Sequence, residues 1–242
     1  MEQKVSLMLL GYTPILANFK YIRSWKSKLF SILDIREIPY LKIKDVIQDG
    51  YLDIKYSPEQ LTKLIQCPDN CNFVLAIMPY RFIDNFYMHR INSKCAILSL
   101  FGIKEILQKE DISLENFIIQ QIYRTCAIRC IFNDISTDDV YNIIHNDTRG
   151  CLFDMNGDRS HIIYNTEHPI ICDDCKGKIR SRPIDPNIIN VLEQELKRIK
   201  KPIIIRVIRW IERHPFFSII ISAIAAIILN VVANLLCKVL DM

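Results

Sequence analysis

Residues 145–175, HNDTRGCLFDMNGDRSHIIYNTEHPIICDDC, decide how this chain is read. The stretch holds three of the nine cysteines, and His145, His161 and His168 lie within it. Cys172 and Cys175 form a Cys-x-x-Cys knuckle, and Cys151 follows the turn-like Thr148-Arg149-Gly150. A tight turn points two such sulfurs the same way, toward one tetrahedral metal. A structural zinc takes four ligands, so the three cysteines need a fourth donor, from His145, His161 or His168. Free thiols packed under a hairpin are the other reading of the same residues.

Upstream, the chain reads as an alternation of strands and helices. Val5–Leu10 is a short apolar run ended by Gly11 and Pro14, as expected of a buried strand. Asn18–Asp34 carries apolar residues at helical spacing and is expected to form a helix that runs into a strand near Ile35–Tyr40. Tyr51–Tyr56 is strand-like, and Ser57-Pro58 then opens a helix with a good N-cap and Pro at its first position. Phe73–Met78 and Cys95–Phe101 are buried strands, and Tyr80–Arg90 between them is expected as a loop or helical turn. Gly102–Lys109 suits a short helix, and Leu114–Cys130 is the longest soluble one, with Cys126 and Cys130 on one face. Ser136–Asp139 caps a further helix that ends near His145. Strands alternating with helices predict an α+β domain around a mixed sheet.

Downstream, Pro183 and Pro186 mark a boundary. From Lys176 to His214 there are eleven Lys/Arg against four Asp/Glu, which makes a local basic surface rather than a basic protein at net charge +4. Asn187–Lys201 reads as a charged helix interrupted at Pro202, and Ile203–Glu212 is amphipathic, with Trp210 among its residues. Pro215–Cys237 then gives 23 residues without a charge. A helix of that length spans roughly 35 Å, enough for a bilayer core of about 30 Å. Basic residues on its N-terminal flank predict that the preceding domain faces the cytoplasm. Asn230 and Asn234, four apart, would lie on one face of the helix, where buried amides favour self-association.

Other composition limits the chemistry. Six glycines and no G-x-G-x-x-G or Walker-type motif argue against a phosphate-cradling loop. No H-E-x-x-H and no G-x-S-x-G occurs. An odd cysteine count without a secretory leader suits a reducing compartment with metal-bound and buried thiols. Cys67 and Cys71 read as thiols in a turn. Arg81, Tyr87, His89 and Arg90 mix basic and aromatic side chains, a combination that suits nucleotide or nucleic acid but equally describes a solvated loop.

The tail of the soluble part resembles the archaemetzincins, small zinc-dependent proteins of the zincin fold. Their signature is H-E-x-x-H-x-x-G-x-x-H-C, four residues, Cys-Val-Met, and later Phe-Cys-x-x-Cys. This chain has His145-Asn146, four residues, Cys151-Leu152-Phe153, and later Ile171-Cys172-x-x-Cys175. The departures are as informative as the match. Ungapped from His145, the family's catalytic His, Glu and His fall on Ile135, Ser136 and Asp139. Placed by distance from the Ser99 strand end, they fall on Cys126, Ala127 and Cys130, with no Glu to act as general base. Asn146 replaces the first structural cysteine. The resemblance therefore implies a degenerate zincin-like domain that keeps a structural zinc and has lost hydrolysis.

The chain is expected to have three parts: a cytoplasmic domain over 1–182, a basic helical stalk over 183–214 and a transmembrane helix over 215–238. Zinc is expected at Cys151, Cys172 and Cys175 with His145 or His168, and Cys126 and Cys130 are the candidates for a second metal. Pro215, Trp210, Asn230 and Asn234 belong to the anchor. The expected role is that of a non-catalytic tail-anchored protein of the bacterial inner membrane that binds a protein partner or signal. The layout matches oligomerising membrane effectors, including some of anti-phage defence. A membrane-anchored metal-dependent hydrolase and a scaffold that recruits an enzyme are the alternatives. The lipid bilayer, a protein partner and further copies of the chain are the expected partners; nucleic acid is not.

Overall fold

The computed structural model describes residues 2–12, 14–43, 47–49, 53–201 and 203–240. The chain divides into two compact units, Met1–Lys200 and Lys201–Met242.

The first unit is built on strands β1 (Gln3–Leu10), β2 (Phe30–Ile38), β5 (Phe73–Met78), β7 (Met88–Asn92) and β8 (Cys95–Ser99), in the order β2-β1-β5-β8-β7. β2, β1, β5 and β8 run parallel, and β7 pairs antiparallel with β8 at the edge. The fold is thus a mixed-sheet α/β arrangement. A smaller sheet holds β3 (Ile47–Asp49), β4 (Asp53–Tyr56) and β6 (Arg81–Phe82). In β5 all six residues are buried, as expected of a parallel strand covered on both faces. Side chains alternate across the sheet. Phe73, Leu75 and Ile77 join the core on one side, while Val74, Ala76 and Met78 join a second core that includes Tyr56, Leu61 and Phe82.

α1 (Phe19–Ser24) and α2 (Pro58–Thr62) lie between strands, and α3 (Ile103–Gln108) and α4 (Leu114–Phe132) follow β8. The expected helix over Asn18–Asp34 ends at Ser24. The Ser27 hydroxyl accepts from the amides of Leu29 and Phe30 and turns the chain into β2. The Tyr80–Arg90 region contributes β6 and the start of β7 rather than loop alone. Tyr51 and Leu52 lie outside the described residues. At Ser57 a full capping box forms with Gln60.

α4 begins with the Ser113 hydroxyl accepting from the Asn116 amide and ends at Asn133 in the left-handed region. It is apolar on more than the one face its spacing suggests. Phe117, Ile118, Ile119, Ile122 and Tyr123 are all fully buried. A helix covered on nearly every side is a core element, packed by α3, α5 (Ile162–Glu167) and α7 (Ile188–Leu196).

Residues 183–200, expected in a stalk, pack into this unit. Ile189, Leu192, Leu196 and Ile199 of α7 and its exit enter the main core. Glu195 is buried with them and accepts from the Ser27 hydroxyl (2.5 Å), the Lys28 amide (2.7 Å) and the Tyr123 hydroxyl (2.8 Å). The charged look of the segment hid a residue whose carboxylate is satisfied from within, as a buried charge must be.

The second unit consists of α8 (Ile203–Arg213) and α9 (Pro215–Leu240). Pro202 lies outside the described residues. Within α9, Pro215–Ala233 is long and apolar enough to cross a membrane, and none of it is buried. Trp210 lies on α8, Pro215 begins α9, and Asn230 and Asn234 fall within α9, the side chain of Asn234 being outside the described part.

Candidate metal centre

Two short backbone bridges assemble the stretch 145–175. His145 pairs with Asp154, and Cys151 pairs with Ile170. In the second, the Leu152 amide donates to the Ile170 carbonyl at 2.7 Å and the Ile170 amide to the Gly150 carbonyl at 3.1 Å. That places the Cys151 turn against the residues leading to Cys172. Gly150 has a φ of +72°, and a Cβ there would sit 3.3 Å from the Tyr164 carbonyl oxygen. Glycine is therefore needed at that turn. Cys172 caps α6 (Asp173–Arg180), and Cys175 lies in its first turn.

These elements bring together His145, Cys151, Cys172 and Cys175. One ligand atom from each lies within 4.8 Å of all the others. The Cys151 and Cys175 sulfurs are 3.8 Å apart, and the Cys172 sulfur is 3.5 Å from His145 Nε2. A tetrahedral zinc with Zn–S near 2.3 Å and Zn–N near 2.05 Å requires S···S of about 3.8 Å and S···N of about 3.5 Å. The donor set and its spacings therefore fit such an ion. Cys151 and Cys175 are fully buried, while His145 and Cys172 are partly exposed.

The surroundings favour thiolates. The amides of Phe153 and Cys172 both donate to the Cys151 sulfur, at 3.5 and 3.4 Å, and the Arg149 guanidinium approaches the Cys172 sulfur at 3.7 Å. Arg149 is held there by Asp147 and Asp174. The sulfur–sulfur hydrogen bond between Cys151 and Cys175 is the main reason the Cys151 thiol falls to about 5; the same interaction and then burial push Cys175 up. A bound cation would release the one proton such a pair shares and leave both sulfurs as thiolates.

His145 is oriented by its other nitrogen. Nδ1 lies 3.0 Å from the Asp147 carbonyl oxygen and 3.3 Å from the carboxylate of Asp154. The proton then sits on Nδ1, which leaves Nε2 free as a ligand. Asp154 is fully buried, and its other oxygen accepts from the amides of Arg149 and Cys151 at 3.1 and 3.0 Å. Burial raises its carboxyl above the ordinary range, and those two amides and His145 work against that shift.

The other expected donors lie elsewhere. His168 lines a shallow surface depression with His161 and Tyr164, and His161 Nδ1 is 2.8 Å from the Thr148 hydroxyl. Cys126 and Cys130 lie a turn apart on α4, where Cys126 donates to the Leu29 carbonyl and Cys130 accepts from Gln3. Among the described residues no third His, Cys, Asp or Glu joins them. Neither Asp154 nor Asp147 is conspicuous in the sequence as a partner of His145; the bridge between residues 145 and 154 creates the contact.

No protein-family model matches the chain, and neither does any curated protein. Among solved structures, the archaemetzincin from Methanopyrus kandleri is similar at a TM-score of 0.43 and 10% identity, covering 73% of this chain and 94% of that one.

Proposed function

We propose that this chain is a membrane-anchored, non-catalytic protein whose first unit is closed by one structural zinc. The carrying observation is the four-donor cluster of His145, Cys151, Cys172 and Cys175. A catalytic zinc keeps a coordination position open for water, whereas four protein ligands fill a tetrahedral ion. Zinc held this way ties the loop before α5 to the start of α6, and its binding energy adds to folding energy.

In the same reading, Pro215–Ala233 spans a bilayer, and the arginines of α8 sit at its cytoplasmic interface. The domain acts from that position, by binding a partner or signal and by assembling with further copies through the anchor. Cobalt substitution tests the zinc assignment. A tetrahedral set of three sulfurs and one nitrogen predicts intense visible bands and a thiolate charge-transfer band. The weak spectrum of six-coordinate cobalt would defeat the proposal.

A further inference from the structure

A cavity of about 200 Å³ opens in the first unit between β7 and α4. Arg90 of β7 and Arg124 of α4 both line it. Arg124 is 4% exposed, and Arg90 is half-buried. One nitrogen of Arg124 donates to the Tyr87 hydroxyl at 2.8 Å, and its Nε has no partner. The Tyr87 hydroxyl is already engaged by the Asn156 amide at 3.3 Å and the Met155 carbonyl at 3.4 Å. The Arg90 guanidinium lies over the Tyr141 ring, 5.6 Å from its centroid. Burial, and then the charge of Arg124, push Arg90 below its usual range.

The charge balance is unusual. Among the described residues no carboxylate comes within ion-pair distance of either guanidinium. His89, on the same strand, is committed to Asp84 at 3.0 Å. The one acidic group in the lining is Asp138, which is exposed to solvent. Two like charges withdrawn from water without a counter-ion are costly. A bound anion would remove that cost, and planar guanidiniums are suited to paired hydrogen bonds with phosphate oxygens. The volume suits one small group rather than a drug-sized molecule. Phe86 and Tyr141, both largely exposed, supply an aromatic rim.

We infer that this cavity binds the phosphoryl group of a small phosphate monoester, with the dianion between Arg90 and Arg124 and the organic part against Phe86 and Tyr141. Two guanidiniums match a dianion better than a carboxylate. None of the four zinc-cluster donors lines the cavity, although Ile144 and Met155, which do, flank His145 and Asp154 in the chain.

Calorimetric titration of the full chain in detergent tests this, with phenyl phosphate, inorganic phosphate and benzoate as probes. Phenyl phosphate should bind saturably at one site per chain, more tightly than either of the others. Arg90→Met should weaken it at least tenfold. Asp138→Asn, an exposed change that leaves the core intact, should tighten it severalfold by removing the opposing charge. The inference is overturned by no saturable binding, by benzoate binding as tightly as phenyl phosphate, or by unchanged affinity in both variants.

Discussion

Cys126 and Cys130 show how little sequence spacing says about a thiol until its neighbours are known. They lie one turn apart on α4, a spacing that suits a shared metal. In the fold Cys126 is fully buried within the main core. Its hydrogen bond to Cys130 raises the Cys126 thiol and holds Cys130 below the usual range. Burial also pushes Cys71 up to about 12 and raises Cys95. A lowered thiol keeps its thiolate as pH falls, whereas a raised thiol stays protonated and inert at pH 8. Alkylation of the native protein at pH 8 should therefore modify Cys130 well before Cys71, Cys95 or Cys126. Mass mapping of the labelled peptides checks the order. The metal cluster teaches the complementary lesson. Cys172 and Cys175 could be read from spacing because a turn acts locally, whereas Cys151 is brought to them by its bridge to Ile170. The choice of His145 over His168 could not be read so, because it depends on the bridge between residues 145 and 154.

At the scale of elements, buried strands were the most legible, since β5 and β8 are short uninterrupted apolar runs. The helix expected over Asn18–Asp34 forms only to Ser24, because apolar residues at mixed spacing serve a strand as well as a helix, and Ser27 turns the chain between them. α7 was placed in a stalk for the opposite reason: the charge of the segment suggested solvent. The Glu195 carboxylate instead links α7 to Ser27, Lys28 and Tyr123, and Trp25 donates to the same Tyr123 hydroxyl at 2.8 Å. Glu195→Ala takes the acceptor from the buried Tyr123 hydroxyl and from the part-buried Ser27 and Lys28 donors. It should cost about 1–3 kcal/mol, read as a lower urea midpoint. Zinc content should not change, because α7 supplies no ligand.

At the scale of the whole molecule, composition alone separates the apolar helix from the rest, because an uncharged run of this length has few uses in water. α9 carries exposed Ile219, Ile220, Ile224, Ile227 and Ile228, an apolar surface larger than soluble proteins leave bare. The proposed spanning role predicts that the full chain stays in the membrane pellet through alkaline carbonate extraction. Removal of residues 203–240 should move it to the supernatant. Fractionation with immunoblotting reads the difference, and full extraction of the intact chain by carbonate would contradict the role. The boundary at residue 182 was misplaced because Pro183 and Pro186 mark a turn within the first unit rather than its end.

The central claim is a single zinc held by His145, Cys151, Cys172 and Cys175, and elemental analysis of the purified full chain tests it most directly. The native protein should carry about one zinc per chain, as one four-ligand structural site requires. That zinc should be lost in Cys172→Ser, be retained less well against chelator in His145→Ala, and be unchanged in His168→Ala. A native protein without zinc, or a Cys172→Ser protein that keeps it, would contradict the account.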